Sequence, residues 1–315
     1  MRYRFKILPL LLLMLILHLM SCGTNTQLTD PNVNDSSDYA FGTDETFDVA
    51  TWNLREFPWA GNATLDFLAQ IIPQLHLDVI ALQEINDQQP LLELVARLDH
   101  YSVVISQATT SYKLAYLYNT HTVHLTDCYT IFNSDSNPFP RPPHIAKFLW
   151  HGQQEVYLIN NHLKAYGDNY IDESDPWDEE VRRRLACTKL DEYISTDLPD
   201  KKVILLGDMN DQIHEPREYN VFLPFIDKPE EYLFTTMNIA QNLNWQNASY
   251  PGMTSMIDHI FITNELFDAY ELTGFYTRTL NIENMVGSWS TYSNSITDHR
   301  PVAARFQLIS TKPDK

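Results

Sequence analysis

The strongest constraint on what this chain can become is a repeated pattern, a short apolar run followed by an abrupt polar stop. Val203-Ile204-Leu205-Leu206 halts at Gly207-Asp208-Met209-Asn210-Asp211. An aliphatic run that short, ended by Gly, reads as a buried strand that stops. Residues 47–53 alternate apolar and polar side chains, and residues 78–84 repeat the buried-strand pattern. Residues 101–105 with 113–118 read as an antiparallel pair, and 145–150, 155–160, 257–263 and 301–309 read as further strands. Helical spacing appears at 65–75, where Pro73 should end or bend the helix, at 91–98, and at 179–194. In the last of these, Val181, Leu185, Leu190 and Ile194 are expected to form the inner side. Many strands with helices between only some of them predict two packed sheets with helices outside.

The stops themselves carry chemistry. The runs end in Asn53, in Glu84, in Asn160-Asn161-His162, and in Asp208 and Asn210; Asp258 lies in a later run, and Asp298-His299 precede the last one. In open α/β sheets, ligands bind at strand ends. Taken singly, each stop is more often a cap or turn residue, and for Asp208-Met209-Asn210 the two readings are evenly matched. Their recurrence favours a shared site. Asn, Asp and Glu offer the oxygen ligands that Mg²⁺ prefers. The sequence has no Cys/His cluster with zinc spacing, no Gly-rich phosphate loop and no Gly-x-Ser-x-Gly elbow. Metal-assisted hydrolysis is the reaction class that remains.

The ordered motifs Trp52-Asn53-Leu54-Arg55, Leu82-Gln83-Glu84, Asn161-His162-Leu163, Gly207-Asp208-Met209-Asn210, Ile257-Asp258-His259-Ile260 and Thr297-Asp298-His299-Arg300-Pro301 resemble those of the endonuclease/exonuclease/phosphatase superfamily. The resemblance runs from about residue 47 to 308 and implies a four-layer α/β sandwich, two packed mixed β-sheets flanked by helices. It implies metal binding by Asn53 and Glu84, with Asp298 a further carboxylate on the metal side. Asp208 would orient or deprotonate the attacking water, and Asn210 would hold water and a phosphoryl oxygen. His299 would be the catalytic imidazole, fixed by Asp258, with His162 as a second histidine. Arg141, in Arg141-Pro142-Pro143, would contact phosphate. The implied cofactor is Mg²⁺, with Mn²⁺ or Ca²⁺ as alternatives. His259 should face the opposite way and be structural, Asp211 should cap the next turn, and the other histidines receive no role.

The ends of the chain point elsewhere than to a core. Arg2, Arg4 and Lys6 precede an apolar stretch, residues 7–17, and Leu19-Met20-Ser21-Cys22 follows. This is the layout of an export signal. The cysteine placement resembles a bacterial lipoprotein signal, with Cys22 as the lipidated residue, an outer-membrane anchor and an envelope location implied; simple cleavage is the alternative. Residues 23–44 are rich in Thr, Asn, Asp and Ser and read as a tether. Residues 45–310 are then one catalytic domain, expected as a monomer. Cys128 and Cys187 form a disulfide or stay separate thiols; the sequence allows both.

The formal charge of −19 becomes about −22 once Arg2, Arg4 and Lys6 are removed. Such a field repels polyanions and argues against a dedicated nucleic-acid-binding module, though not against an enzyme whose metal inverts the field locally. The expected enzyme is a nuclease-like phosphodiesterase, with nucleic acid as the first-choice substrate and phospholipid, as in sphingomyelinases, as the second. An inositol-phosphate phosphatase and a catalytically silent binding lipoprotein follow. Lys164 is a candidate nucleic-acid contact, whereas Arg182-Arg183-Arg184 read as a solvated helix face. Tyr166, Tyr170, Trp177 and Trp289 suit lipid, base or sugar equally.

Overall fold

The computed structural model describes residues 39–308. The export signal, Cys22, most of the tether and residues 309–310 lie outside the described residues. The strands in chain order are β1 Phe47–Phe57, β2 Val79–Ile85, β3 Tyr101–Ile105, β4 Lys113–Asn119, β5 Val123–Thr130, β6 His144–Trp150, β7 Gln154–His162, β8 Val203–Asp208, β9 Tyr232–Phe234, β10 Asp258–Thr263, β11 Thr277–Thr279 and β12 Val302–Phe306. They form two six-stranded mixed sheets, ordered β11-β12-β1-β2-β4-β3 and β5-β6-β7-β8-β10-β9. The main helices are α1 Asn62–Leu75, α2 Gln88–Val95 and α3 Glu179–Asp197. The expected α/β sandwich is the observed architecture.

Alternation along the central strands builds the layers. Val49, Val79 and Ala81 turn toward the second sheet and join Leu158, Leu205 and Ile260 in one core; Ala50, Ile80 and Leu82 turn the other way, onto Leu68, Ile72 and Leu91 of α1 and α2. Each fully buried Val, Leu or Ile side chain here contributes about 1.5–3 kcal/mol. The two sheets are also tied by amides: Gln83 Nε2 donates to Asn160 Oδ1 at 2.7 Å, and Asn160 Nδ2 donates to the Leu82 and Ala115 carbonyls at 3.0 Å.

Several boundaries differ from the sequence reading. The tether expected to reach residue 44 ends earlier: Phe41 is already buried, its N–H bonded to the Leu75 carbonyl, because its ring packs on Tyr276 and under Arg305. Pro73 does not stop α1, which runs two residues further to Leu75 before His76 turns left-handed. β8 continues through Gly207 to Asp208 instead of ending at Leu206. The inner face of α3 is another correction. Leu185 is exposed, and Glu180, Arg182, Arg183, Ala186, Cys187, Leu190 and Ile194 are buried. The helix therefore turns charged residues inward, where ion pairs satisfy Glu180 and Arg183 and the Ser136 and Asn137 carbonyls accept from Arg182. Cys128 is exposed on β5, Cys187 is buried in α3, and both are free thiols.

Candidate active site

Register assembles the site. On the second sheet, β8 lies between β7, parallel to it, and β10, antiparallel to it. His162 pairs with Asp208 across one ladder and Asp258 pairs with Asp208 across the other, so the three side chains stand in a row on one face. On the first sheet, β1 and β2 run parallel with Asn53 opposite Gln83, which puts Glu84 just beyond. The strand ends of the two sheets meet there. Gly207 makes the close approach possible: its φ is 148°, and a Cβ would lie 2.0 Å from the Asn161 carbonyl oxygen.

Asn53 bridges the sheets. Its Nδ2 donates to Glu84 Oε1 at 3.0 Å and to Asp208 Oδ2 at 2.8 Å, and its Oδ1 accepts from the Arg55 N–H at 2.8 Å. Glu84 sits at φ 60° and its Oε2 accepts from the Glu56 N–H at 2.9 Å. A left-handed Glu at the end of a strand is strain that the surrounding fold imposes on a functional residue. His162 Nε2 lies 3.8 Å from Glu84 Oε1 and 3.6 Å from Asp208 Oδ2. His299 Nε2 is 4.0 Å from Asp208 Oδ2, and its Nδ1 is 2.8 Å from Asp258 Oδ2. Asp258 is a carboxylate acceptor, so the proton on that bond belongs to His299 Nδ1. Asn210, at φ 53°, donates its N–H to Asp208 Oδ1 at 3.0 Å and its Nδ2 to the Leu163 carbonyl at 3.3 Å.

The electrostatics divide the two histidines. Burial pushes His162 well below its ordinary value, and the positive charges of Arg141 and His299 push the same way. Burial would lower His299 too, but the charge and hydrogen bond of Asp258, with Asp208 and Asp298 behind them, outweigh it and raise His299 to about 10. Burial, with the Asp258 charge next, raises Asp208 to about 7, against the opposing pull of His299 and Asn53. At neutral pH the row therefore holds a neutral His162 and a cationic His299 on either side of Asp208.

Glu84, His162 and Asp208 bring ligand atoms within 4.8 Å of one another, and so do Asp208, Asp258 and His299. Three carboxylates, Glu84, Asp208 and Asp258, converge there beside the His162 and His299 nitrogens, so a hard divalent ion fits the donor set. Glu84 and Asp208 would hold it, with the Asn53 amide beside them. Asp298, expected on the metal side, belongs to neither cluster; its Oδ2 pairs with Arg55 Nε at 3.5 Å. Arg141 is nearby but committed: Nε donates to the His162 carbonyl at 2.9 Å and Nη2 donates to the Leu163 carbonyl. In this state it braces the strand end instead of reaching outward for phosphate.

Other placements follow from packing. His259 does face the opposite way, its Nε2 on the Asp211 carbonyl and its Nδ1 on Thr236 Oγ1, both at 3.0 Å. Asp211 Oδ1 accepts the Gln212 N–H at 2.9 Å at the start of the following turn, and its Oδ2 forms a buried ion pair with Arg183 Nε at 2.7 Å, a partner the sequence reading did not foresee. Sequence reasoning missed Tyr250, whose ring lies 4.9 Å from that of His299. It also missed Tyr292, which accepts from Trp52 Nε1 at 3.1 Å and donates to the His299 carbonyl at 2.7 Å. Thr297 was missed as well: its Oγ1 donates to the Asn53 carbonyl at 2.8 Å and accepts from the His299 N–H at 3.1 Å. Only Thr297 had a visible signal, as the residue opening the Asp298-His299 motif.

A row of imidazole and carboxylates facing a metal-competent carboxylate across two sheets defines a metal-assisted phosphoester hydrolase. The model of the Endonuclease/Exonuclease/phosphatase family matches residues 50–299, and the chain belongs to that family. It is thus a divalent-metal-dependent hydrolase of phosphoesters by class. A comparison with curated protein sequences finds no significant match. Among solved structures, D. rerio TDP2 complexed with a single-strand DNA product is 15% identical, with a TM-score of 0.59, over 84% of this chain and 100% of that one. Truncated Caenorhabditis elegans TDP2 is 17% identical with a TM-score of 0.55, over 84% of this chain and 98% of that one. An endonuclease/exonuclease/phosphatase from Bacteroides vulgatus is 14% identical with a TM-score of 0.56, over 84% of this chain and 99% of that one. At these identities the likeness is one of fold.

Proposed function

We propose that this chain is a nuclease-like phosphodiesterase that works with Mg²⁺, displayed as a monomer at the bacterial cell envelope through a lipid on Cys22. The observation that carries the substrate choice is the pairing of cation with aromatic ring on both flanks of the site. Two residues beyond Asn53, Arg55 lies over the Trp59 ring at 3.8 Å; two beyond His162, the Lys164 ammonium is 5.6 Å from the Tyr166 ring. Exposed rings next to positive charge suit stacked bases and a phosphate backbone. Insertion into a bilayer would call for unpaired apolar groups instead. Trp177 and Trp289 lie over Arg182 and Arg300, at 5.6 and 5.1 Å, and Tyr170 packs on Tyr219, so these rings too are paired rather than left as free apolar groups for a bilayer. A DNA product in the TDP2 relative supports the same reading.

In the proposed reaction a bound divalent ion would neutralise charge on the phosphoryl group. Asp208 orients water for in-line attack and accepts its proton. The P–O bond opposite the water breaks, and cationic His299, held by Asp258, gives its Nε2 proton to the leaving oxygen as charge develops there. Neutral His162 and the Asn210 amide hold the remaining oxygens in place.

The test uses protein lacking residues 1–22, with Mg²⁺, Mn²⁺ or Ca²⁺, on plasmid DNA, oligonucleotides, RNA, sphingomyelin and bis-p-nitrophenyl phosphate, beside His299→Ala and Asp208→Ala. Metal-dependent cleavage of nucleic acid, lost in both variants, is expected. Turnover confined to sphingomyelin would reject the nuclease reading, and none on any substrate would favour a silent binding protein.

A further inference from the structure

Arg183 is one of the most buried charged residues in the molecule, with a side chain 1% exposed. Its guanidinium is spent on backbone and carboxylates from three segments. Nη1 donates to the carbonyls of Lys164, at 2.7 Å, and Tyr166, at 2.6 Å. Nε donates to Asp211 Oδ2 at 2.7 Å, and Nη2 to Glu180 Oε1 at 3.0 Å. Glu180 in turn accepts from the Asn169 N–H at 2.9 Å, and a Cβ at Gly167 would collide with its carboxylate.

Two of those segments are the loops that leave the active-site row. Residues 164–166 begin two residues after His162, and Asp211 follows Asn210. The Asp211 carbonyl is also bonded by His259, next to Asp258. One planar fork therefore joins the loop behind His162 to the loop behind Asn210, and sets where the Lys164 and Tyr166 side chains emerge. A lysine in its place would keep the charge but not the fork, because a single ammonium cannot span four acceptors arranged in this plane.

We propose that Arg183 is a positioning residue for phosphoester hydrolysis: it holds Asn210 and the 164–166 loop in register, without itself touching substrate. The inference rests on the hydrolase reading for its kinetic consequence and on geometry alone for its structural one. Small displacements of reacting groups cost about 100-fold in rate, so the effect belongs in kcat.

The experiment compares wild type, Arg183→Lys and Asp211→Asn, the last removing the anionic acceptor of the Nε arm and leaving the three other bonds of the fork in place. Hydrogen exchange by mass spectrometry is read across residues 163–169 and 209–213, with β1 and β12 as internal controls. Steady-state kinetics on bis-p-nitrophenyl phosphate are measured well below the unfolding temperature. Arg183→Lys should speed exchange at least about tenfold in both loops but not in the controls, and lower kcat about 10–100-fold with KM within about threefold. Asp211→Asn should speed exchange in 209–213 only. Unchanged exchange in Arg183→Lys overturns the proposal, and so does faster exchange with unchanged kcat, which would leave Arg183 as scaffold alone. If Arg183→Lys does not fold, Asp211→Asn decides by the same two readouts. A wild type without turnover sinks the hydrolase reading instead, while the exchange contrast still decides whether Arg183 holds the loops.

Discussion

His299 and Asp258 form the pair on which the proposed chemistry turns. Asp258 is the largest influence holding His299 up near pH 10 against the effect of burial. Replacing Asp258 by Asn removes that charge, so His299 loses its proton at lower pH. If the cationic form is the working one, the alkaline limb of the kcat/KM profile shifts acidward by more than about one pH unit, and kcat falls roughly 10³–10⁴-fold, as for other Asp–His pairs. A pH–rate series in saturating metal checks this; an unmoved limb would remove His299 as the donor. Glu84 permits a second prediction at the same scale. Glu84→Gln keeps the shape and the bond from the Glu56 N–H but removes the anionic ligand, so the metal concentration for half-maximal rate should rise at least about tenfold. An unchanged half-maximal concentration would place the ion elsewhere.

At the scale of elements, the site is a consequence of β8 lying between β7 and β10. Gly207 lets β7 and β8 approach, and Gly207→Ala must either push Asn161 away or relax a φ of 148°. A loss of about 2–4 kcal/mol is expected, lowering the unfolding midpoint by several degrees and blunting activity through displaced His162 and Asp208. Thermal unfolding with kinetics on the folded protein measures both, and a neutral Gly207→Ala would contradict the close-packed ladder. Strands buried on both faces were legible because nothing but a continuous apolar run survives there, as in β8. β5 was not, because it is an edge strand whose exposed His124, Thr126 and Asp127 erase the alternation. β9 and β11, with three residues each, are too short to carry any period. Helix α3 was legible as a helix but not in its orientation: hydropathy places Leu185 inside and Arg183 outside, and the ion pairs with Asp211 and Glu180 reverse that. In the site, each ligand was visible as a polar stop. Contacts made across elements, such as Tyr250 on His299 or Arg141 on the Leu163 carbonyl, leave no trace in local sequence.

On the scale of the whole molecule, buried titratable groups make stability depend on pH. Burial lowers His144 and His259 to about 4, so both are neutral in the fold and protonate more readily when unfolded. Between pH 6.5 and 4 the unfolded chain binds more protons than the native one, and the stability these two residues confer falls as pH falls. Asp78, raised by burial to about 7, works in the opposite sense, since its native form keeps a proton that the unfolded chain has lost. A difference measurement separates them: from pH 7.5 to 5, the unfolding midpoint of His259→Gln should decline less than that of wild type. Parallel curves would mean that His259 carries no such linkage.

Glu84, Asp208 and His299, brought together from the ends of two sheets, are proposed to hydrolyse phosphodiesters with a divalent ion. The most direct measurement is the rate on bis-p-nitrophenyl phosphate of metal-stripped protein lacking residues 1–22, titrated with Mg²⁺ and Mn²⁺, alongside Asp208→Asn and His299→Ala. A saturable metal-dependent rate is expected, falling by about 10³-fold or more in either variant while the protein stays folded. A rate that ignores the metal, or survives both substitutions, would contradict the proposal.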